Sequence, residues 1–168
     1  MRIVDNFLDD DLYQWFLRNL NDFDYYTVDK TKDLYLKQEH DCAEDVVLKV
    51  KKCYEDKVGR ALGHFNVGVV KCDPNYKYPW HADHHTKLMS SVLYLHPNKS
   101  SPTIFQDERT LEWKPNRLVL WVNKGQIHRY TNSTDEPRYT LNIYQTSGDP
   151  KRTPFAVSRS QRKKSHEI

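Results

Sequence analysis

A chain of 168 residues is long enough to bury one substantial core and too short for two, so a single domain is expected. Its mean hydropathy of −0.88 is low, yet eleven tyrosines, six phenylalanines and four tryptophans carry too much burial energy for a disordered segment. The net charge of +3 is uneven, with six Lys/Arg and one Glu between Lys151 and Ile168; no apolar run reaches the ~18 residues of a membrane helix.

The opening "MRIVDNFLDDDLYQWF" turns acidic at once and lacks the apolar centre of a signal peptide, which predicts a protein that stays in the cytoplasm. Within it Leu8, Leu12, Phe16 and Leu20 recur every four residues and predict a helix, with Asp9, Asp10 and Asp11 at its positive end. Two short strands follow at "YYTVDKT" and "DLYLKQ". A second helix is expected from "DCAE", with Asp41 as N-cap and Glu44 completing a capping box. Val46, Val47, Val50, Tyr54 and Val58 form its apolar face, and Gly63 marks its end. The three cysteines, Cys42, Cys53 and Cys72, are odd in number and lack CxxC spacing, a pattern of reduced thiols rather than a disulfide frame.

From Phe65 the period changes to two. "FNVGVV", "LMSSVLYL", "TIFQD", "RLVLWVN", "IHRYT" and "RYTLNIYQ" are strand-like runs divided by Pro, Asn, Gly and Asp. Short strands with no helices between them predict a mainly β, antiparallel sandwich or barrel. In the last run Arg138, Thr140, Asn142 and Tyr144 face one way and Tyr139, Leu141 and Ile143 the other. A sheet curled around a polar cavity, with its apolar outer face covered by the two helices, accommodates both sets.

The chemistry concentrates in "YPWHADHH". His81 and Asp83, two residues apart at a strand end, can aim at one point. A third ligand completes the two-histidine, one-carboxylate set that leaves one face of Fe(II) open. His128 in "GQIHRYTN" is the best candidate, since it shares an inward face with Tyr130. Ten residues on, Arg138 offers a planar fork suited to a carboxylate. Thr140 on the same face and Tyr94 on the neighbouring run offer further hydrogen bonds. Adjacent residues of an extended chain point apart, so His84 and His85 are not both expected to be ligands. An HExxH zinc helix is excluded, because Ala82 stands where the glutamate belongs. Tyr76 and Trp80 suit either an aromatic rim that grips substrate or a cap on the core, whereas Trp121, among Val and Leu, reads as core.

His-x-Asp, a distant His and an Arg about ten residues later form a pattern similar to that of Fe(II)/2-oxoglutarate-dependent oxygenases. Tyr78 before "HAD", "VLYL" after it, "RLVLWVN" before His128 and "RYTLNIY" at the end resemble the prolyl-hydroxylase-like branch over about Val67 to Thr146. "VDNFLDDDLYQWFLRNL" resembles the leading helix of that family. The resemblance implies a double-stranded β-helix, or jelly roll, packed against two helices. A helical support region would span 1–64, a jelly-roll core 65–148 and a basic tail 149–168. It implies Fe(II) held by His81, Asp83 and His128, and 2-oxoglutarate held by Arg138 with Tyr94; Thr140, on the same face as Arg138, is placed to add its hydrogen bond. It further implies Tyr78 against the substrate, and Trp80, two residues on, is the substrate contact that the aromatic-rim reading would add. Two departures stand out: "SSPTIF" replaces the Gly-Gly common before that strand, and Arg138 replaces the lysine many relatives use.

The activity so implied is hydroxylation of a substrate C–H bond with O2, releasing succinate and CO2. A peptidyl residue such as proline is the favoured substrate, ahead of a small molecule. Two other classes compete. A cupin-like non-oxygenase metal enzyme leaves Arg138 unexplained, and a jelly-roll binding module would bind nucleic acid through the basic tail.

Overall fold

The computed structural model describes residues 1–148. The basic tail from 149, and the nucleic-acid expectation resting on it, lie outside the described residues. In chain order the elements are β1 (Arg2–Val4), α1 (Asp10–Asn19), β2 (Tyr26–Thr31), β3 (Tyr35–Asp41), α2 (Glu44–Lys57), β4 (His64–Cys72) and β5 (Lys77–His81). There follow β6 (Lys87–His96), β7 (Thr103–Phe105), β8 (Thr110–Leu111), β9 (Arg117–Val122), β10 (His128–Thr131) and β11 (Arg138–Thr146). A seven-stranded sheet runs β1-β9-β6-β11-β4-β3-β2, and a four-stranded sheet runs β5-β10-β7-β8. Every pairing is antiparallel. The fold is mainly β with two helices, as the sequence predicts.

The alternation of β11 is what divides the molecule. Tyr139, Leu141 and Ile143 join Val67, Val69, Leu93, Leu95, Leu118 and Leu120 in one apolar cluster. The N-terminal segment and α1 bring Phe7, Leu8, Phe16 and Leu20 to this face; α2 brings Val46, Val50 and Tyr54. Each such side chain, once buried, contributes roughly 1.5–3 kcal/mol. The other face of β11 carries Arg138, Thr140, Asn142 and Tyr144 toward the smaller sheet, and all four line a cavity of about 320 Å³. Polar residues on a strand buried on both faces are tolerable only where their hydrogen-bonding groups find partners or a ligand.

The start of α2 differs from expectation. Asp41 is not the N-cap of α2; it ends β3, where its carboxylate accepts the Tyr26 hydroxyl at 3.1 Å. Ala43 holds the cap position without a side-chain bond. Sheet pairing by Asp41 with Gly68 outcompetes the local cap. At α1, Asp9 holds the N-cap position with Asp10 and Asp11 in the first turn, as expected, while the Asp9 carboxylate accepts Lys57 Nζ at 3.0 Å rather than a helix N–H. Helix α2 stops at Lys57 rather than Gly63. Gly63 serves a different end: its φ is +57°, and a Cβ there would lie 2.2 Å from the Thr146 carbonyl oxygen. Cys42 is half-buried and Cys53 and Cys72 are buried, all as thiols. Among the described residues no helix is long and apolar enough to cross a membrane.

Candidate metal centre

The smaller sheet brings the histidines together. His128 is paired with His81 across β10 and β5, and the next pair is Tyr130 with Tyr78. Two steps of β10 thus face three steps of β5, so Arg129 alone stands opposite Pro79 and Trp80 and the latter form a bulge. The extra residue lets Tyr78 and His81, three apart, face the same side. It also carries Trp80 to the opposite side of the strand, where its ring is 43% exposed and stacks with the Arg129 guanidinium at 4.5 Å. Trp80 therefore does not line the cavity; Tyr78 does.

His81, Asp83 and His128 each offer one ligand atom, and these atoms lie within 4.8 Å of one another. The imidazole centroids are 4.3 Å apart, and His128 Nε2 is 3.9 Å from Asp83 Oδ2. Each ring has its Nδ1 on a carbonyl oxygen, His81 on Pro79 at 3.0 Å and His128 on Gln126 at 3.1 Å. A carbonyl only accepts, so Nδ1 carries the proton and Nε2 keeps the lone pair a cation needs. Burial lowers the basicity of both rings, His81 to about 4 with help from neighbouring His128. Burial alone would raise the Asp83 pKa, but Lys87 Nζ at 2.8 Å and the Ser90 hydroxyl donate to it and hold it near 2. At neutral pH all three side chains are therefore in their ligating forms. Phe105 and Trp121 pack against the His128 ring at 5.5 and 5.1 Å and fix its plane.

Across the cavity Arg138 is 2% exposed. Its guanidinium carbon lies 4.6 Å from the Tyr130 ring, 4.9 Å from Trp113 and 5.8 Å from Tyr94. Its Nε and Nη2 are buried with no hydrogen-bond partner among the described residues. Side by side on one edge of the guanidinium, these two donors match the two oxygens of a carboxylate. Thr140 lines the cavity, its hydroxyl donating to Asn142 at 3.2 Å. Tyr94 lies behind the lining, its ring stacked on Trp113 and its hydroxyl paired with Thr103 at 2.9 Å.

Four lining residues escape sequence reasoning. Lys87 and Ser90 sit just after the metal cluster, but nothing local marks them as carboxylate donors. Lys37 lies in a run read only as a short strand and Glu39 just past it, both on β3; pairing with β4 sets which of their sides faces the cavity.

No family model matches the sequence, and comparison with curated proteins finds no match. Solved structures do match. A prolyl-4-hydroxylase from Pseudomonas putida superposes with a TM-score of 0.65 over 88% of this chain and 92% of its own, at 14% identity. A viral collagen prolyl hydroxylase from Paramecium bursaria Chlorella virus-1, solved as its 2OG complex, gives 0.63 over 88% and 96%, at 13% identity. A prolyl hydroxylase from Trichoplax adhaerens, in complex with a hypoxia inducible factor peptide, gives 0.64 over 86% and 83%, also at 13%. The chain has the prolyl-hydroxylase-like 2-oxoglutarate oxygenase fold. At these identities the prolyl-hydroxylase likeness is one of architecture, and the chemistry must be argued from the side chains.

Proposed function

We propose that this chain is an Fe(II)- and 2-oxoglutarate-dependent dioxygenase that hydroxylates a C–H bond, with a peptidyl residue such as proline as the favoured target. The scaffold would be one oxygenase domain over 1–148, a double-stranded β-helix. The strand orders β9-β6-β11-β4 and β5-β10-β7-β8, facing each other across the cavity, support that reading. The observation that carries the function is the pair of unsatisfied donors on buried Arg138, in the same cavity as a carboxylate and two imidazoles ready to ligate. A cupin-like metal enzyme has no use for such an arginine.

In this assignment His81 Nε2, His128 Nε2 and one Asp83 oxygen hold the metal, which with bound 2-oxoglutarate and O2 supplies the oxidising power. Lys87 and Ser90 keep Asp83 ionised and fix its orientation. Arg138 takes the distal carboxylate of 2-oxoglutarate through Nε and Nη2, and the surrounding rings exclude water, which strengthens the pairing. Thr140 flanks that carboxylate, and Tyr94 supports the guanidinium from behind. Tyr78, edge-on to His81 at 4.3 Å and stacked on Tyr130 at 5.1 Å, forms an aromatic wall for the substrate. A peptide target also draws support from the Trichoplax enzyme, which was solved with one.

Anaerobic addition of Fe(II) and 2-oxoglutarate tests the assignment. The expected result is a visible charge-transfer band, followed under O2 by metal-dependent release of succinate. His81→Ala should remove the band; Arg138→Ala should weaken 2-oxoglutarate binding at least tenfold, the loss of a charge-assisted pair worth about 1.5–3 kcal/mol. A wild-type protein without band or succinate would rule the function out.

A further inference from the structure

Lys37 is a cation for which the proposed reaction has no use. It lines the same cavity, on the β3 side, and its Nζ makes no hydrogen bond or ion pair among the described residues. It lies instead 4.0 Å above the centre of the Tyr78 ring and 5.5 Å from that of Tyr130. Register explains the placement. Lys37 pairs with Cys72, and Cys72 with Arg138, so the two cations share one face of the sheet, separated by strand β4. Adjacent strands are ~4.8 Å apart, which puts the backbone of Lys37 roughly 10 Å from that of Arg138. The arginine has both donors of its fork for one carboxylate. The lysine stands two strands away on the same face, over the tyrosine whose ring touches His81.

Charge makes the same distinction. Three cations line the cavity, Lys37, Lys87 and Arg138, against two carboxylates, Glu39 and Asp83. A divalent cation and dianionic 2-oxoglutarate cancel each other, so the loaded cavity keeps one positive charge over. Asp83 already occupies Lys87, and Tyr144 donates to Glu39 at 2.7 Å. The half-buried Lys37 ammonium lies over ring faces, and the carboxylates of Glu39, Asp29 and Asp83 act on it only at longer range. Asp29 already accepts from Tyr76 at 2.6 Å, so the ammonium is incompletely compensated for the water it has lost.

Resting on the oxygenase reading, we propose that Lys37 pairs with a carboxylate of the substrate, so that the preferred substrate carries an acidic group next to the carbon that is oxidised. Burial pushes the Lys37 amine below the ordinary lysine value, and an incoming carboxylate would oppose that shift by favouring the charged form. The carboxylate has two sources: an acidic side chain in a peptide, or the terminal carboxylate of an amino acid.

Binding to full-length protein loaded with Zn(II) and N-oxalylglycine, which allow no turnover, separates these sources. The probes are N-acetylproline, the capped dipeptide acetyl-Glu-Pro-amide and neutral N-acetylprolinamide, followed by calorimetry and protein NMR. At least one carboxylate probe should bind wild type tenfold or more tightly than the neutral one, and which one identifies the source. That preference should vanish in Lys37→Met, which keeps the stem over Tyr78, and return in Lys37→Arg. Equal affinity for all three probes, or no binding by either carboxylate, overturns the proposal. So does Lys37→Met losing affinity for 2-oxoglutarate as Arg138→Ala does, since Lys37 would then be a cosubstrate anchor. The band obtained with Fe(II) and 2-oxoglutarate reports on the oxygenase reading separately, as it involves no substrate.

Discussion

At Gly63 the backbone turns into the left-handed region just before β4, against the carbonyl of Thr146 at the end of β11. An alanine there would meet that oxygen at 2.2 Å, and backbone rather than a side chain would have to yield. Strained φ and displaced backbone together should cost about 2–4 kcal/mol. Gly63→Ala is therefore expected to lower the urea midpoint with an unchanged m-value, whereas Gly59→Ala meets nothing within 4 Å and adds only conformational strain. The same scale shows what alternation can reveal. The inward set Arg138, Thr140, Asn142 and Tyr144 is legible from a period of two, because β11 is regular and pairs on both sides. The sides of Tyr78 and Trp80 are not, because the bulge puts on opposite sides two residues that simple alternation would place together. The Asp41 cap fails for a related reason: an Asp before a helix reads as a cap whenever its sheet partner is far away in sequence. Lys37 and Glu39 depend on a partner strand some thirty residues downstream, and no local signal carries that information.

Among the elements, the connections that set β5 against β10 matter most, since these strands carry the two histidines. Asn132, just past β10, is 1% exposed, and its side-chain amide donates to the carbonyls of Cys72, Asp73 and Glu136 at 3.1, 3.1 and 2.8 Å. One residue thus ties the end of β4 and the turn into β11 to β10. Asn132→Ala strands three acceptors, two of which keep other routes to partners, and should cost about 2–3 kcal/mol. It should also weaken Zn(II) binding several-fold, read by calorimetry at a temperature where the variant is still folded, because histidine separation relaxes. A second tie joins the edge of the larger sheet. Asp5, after β1, accepts from Arg117 at 2.7 Å and from Lys114 at 3.0 Å, which holds its pKa near 2. A depressed carboxylate contributes stability that is present above its unfolded value of 3.8 and fades as pH falls through about 2. This pair is partly exposed, so the contribution is below about 1 kcal/mol. Asp5→Asn should leave the acid unfolding curve shallower between pH 4 and pH 2 by about that amount, with no change in Zn(II) affinity.

For the whole molecule, the cavity lies between two sheets already bridged by Asn132 and by the Tyr94–Thr103 hydroxyl pair, and a ligand that contacts both walls would tie them further. Larger-sheet residues supply Arg138, Ser90 and Lys37, while the smaller sheet supplies His81, His128 and Tyr78. Asp83, in the link from β5 to β6, reaches both through Lys87 and Ser90 on one side and His128 on the other. A cation bound by the folded form alone stabilises it by mass action, by about 2.7 kcal/mol at a hundred times its dissociation constant. For a chain of this size that is roughly 5–10 °C in Tm. Zn(II) should therefore raise the midpoint of wild type and of His84→Ala alike, because His84 turns its Nδ1 to Thr86 rather than to the cluster. His81→Ala and His128→Ala should lose the shift. If N-oxalylglycine then adds a further rise in wild type that Arg138→Ala abolishes, the metal and the arginine act on one bridging ligand. A rise retained in Arg138→Ala would mean that the dicarboxylate binds at the metal alone and leaves the two sheets no better joined.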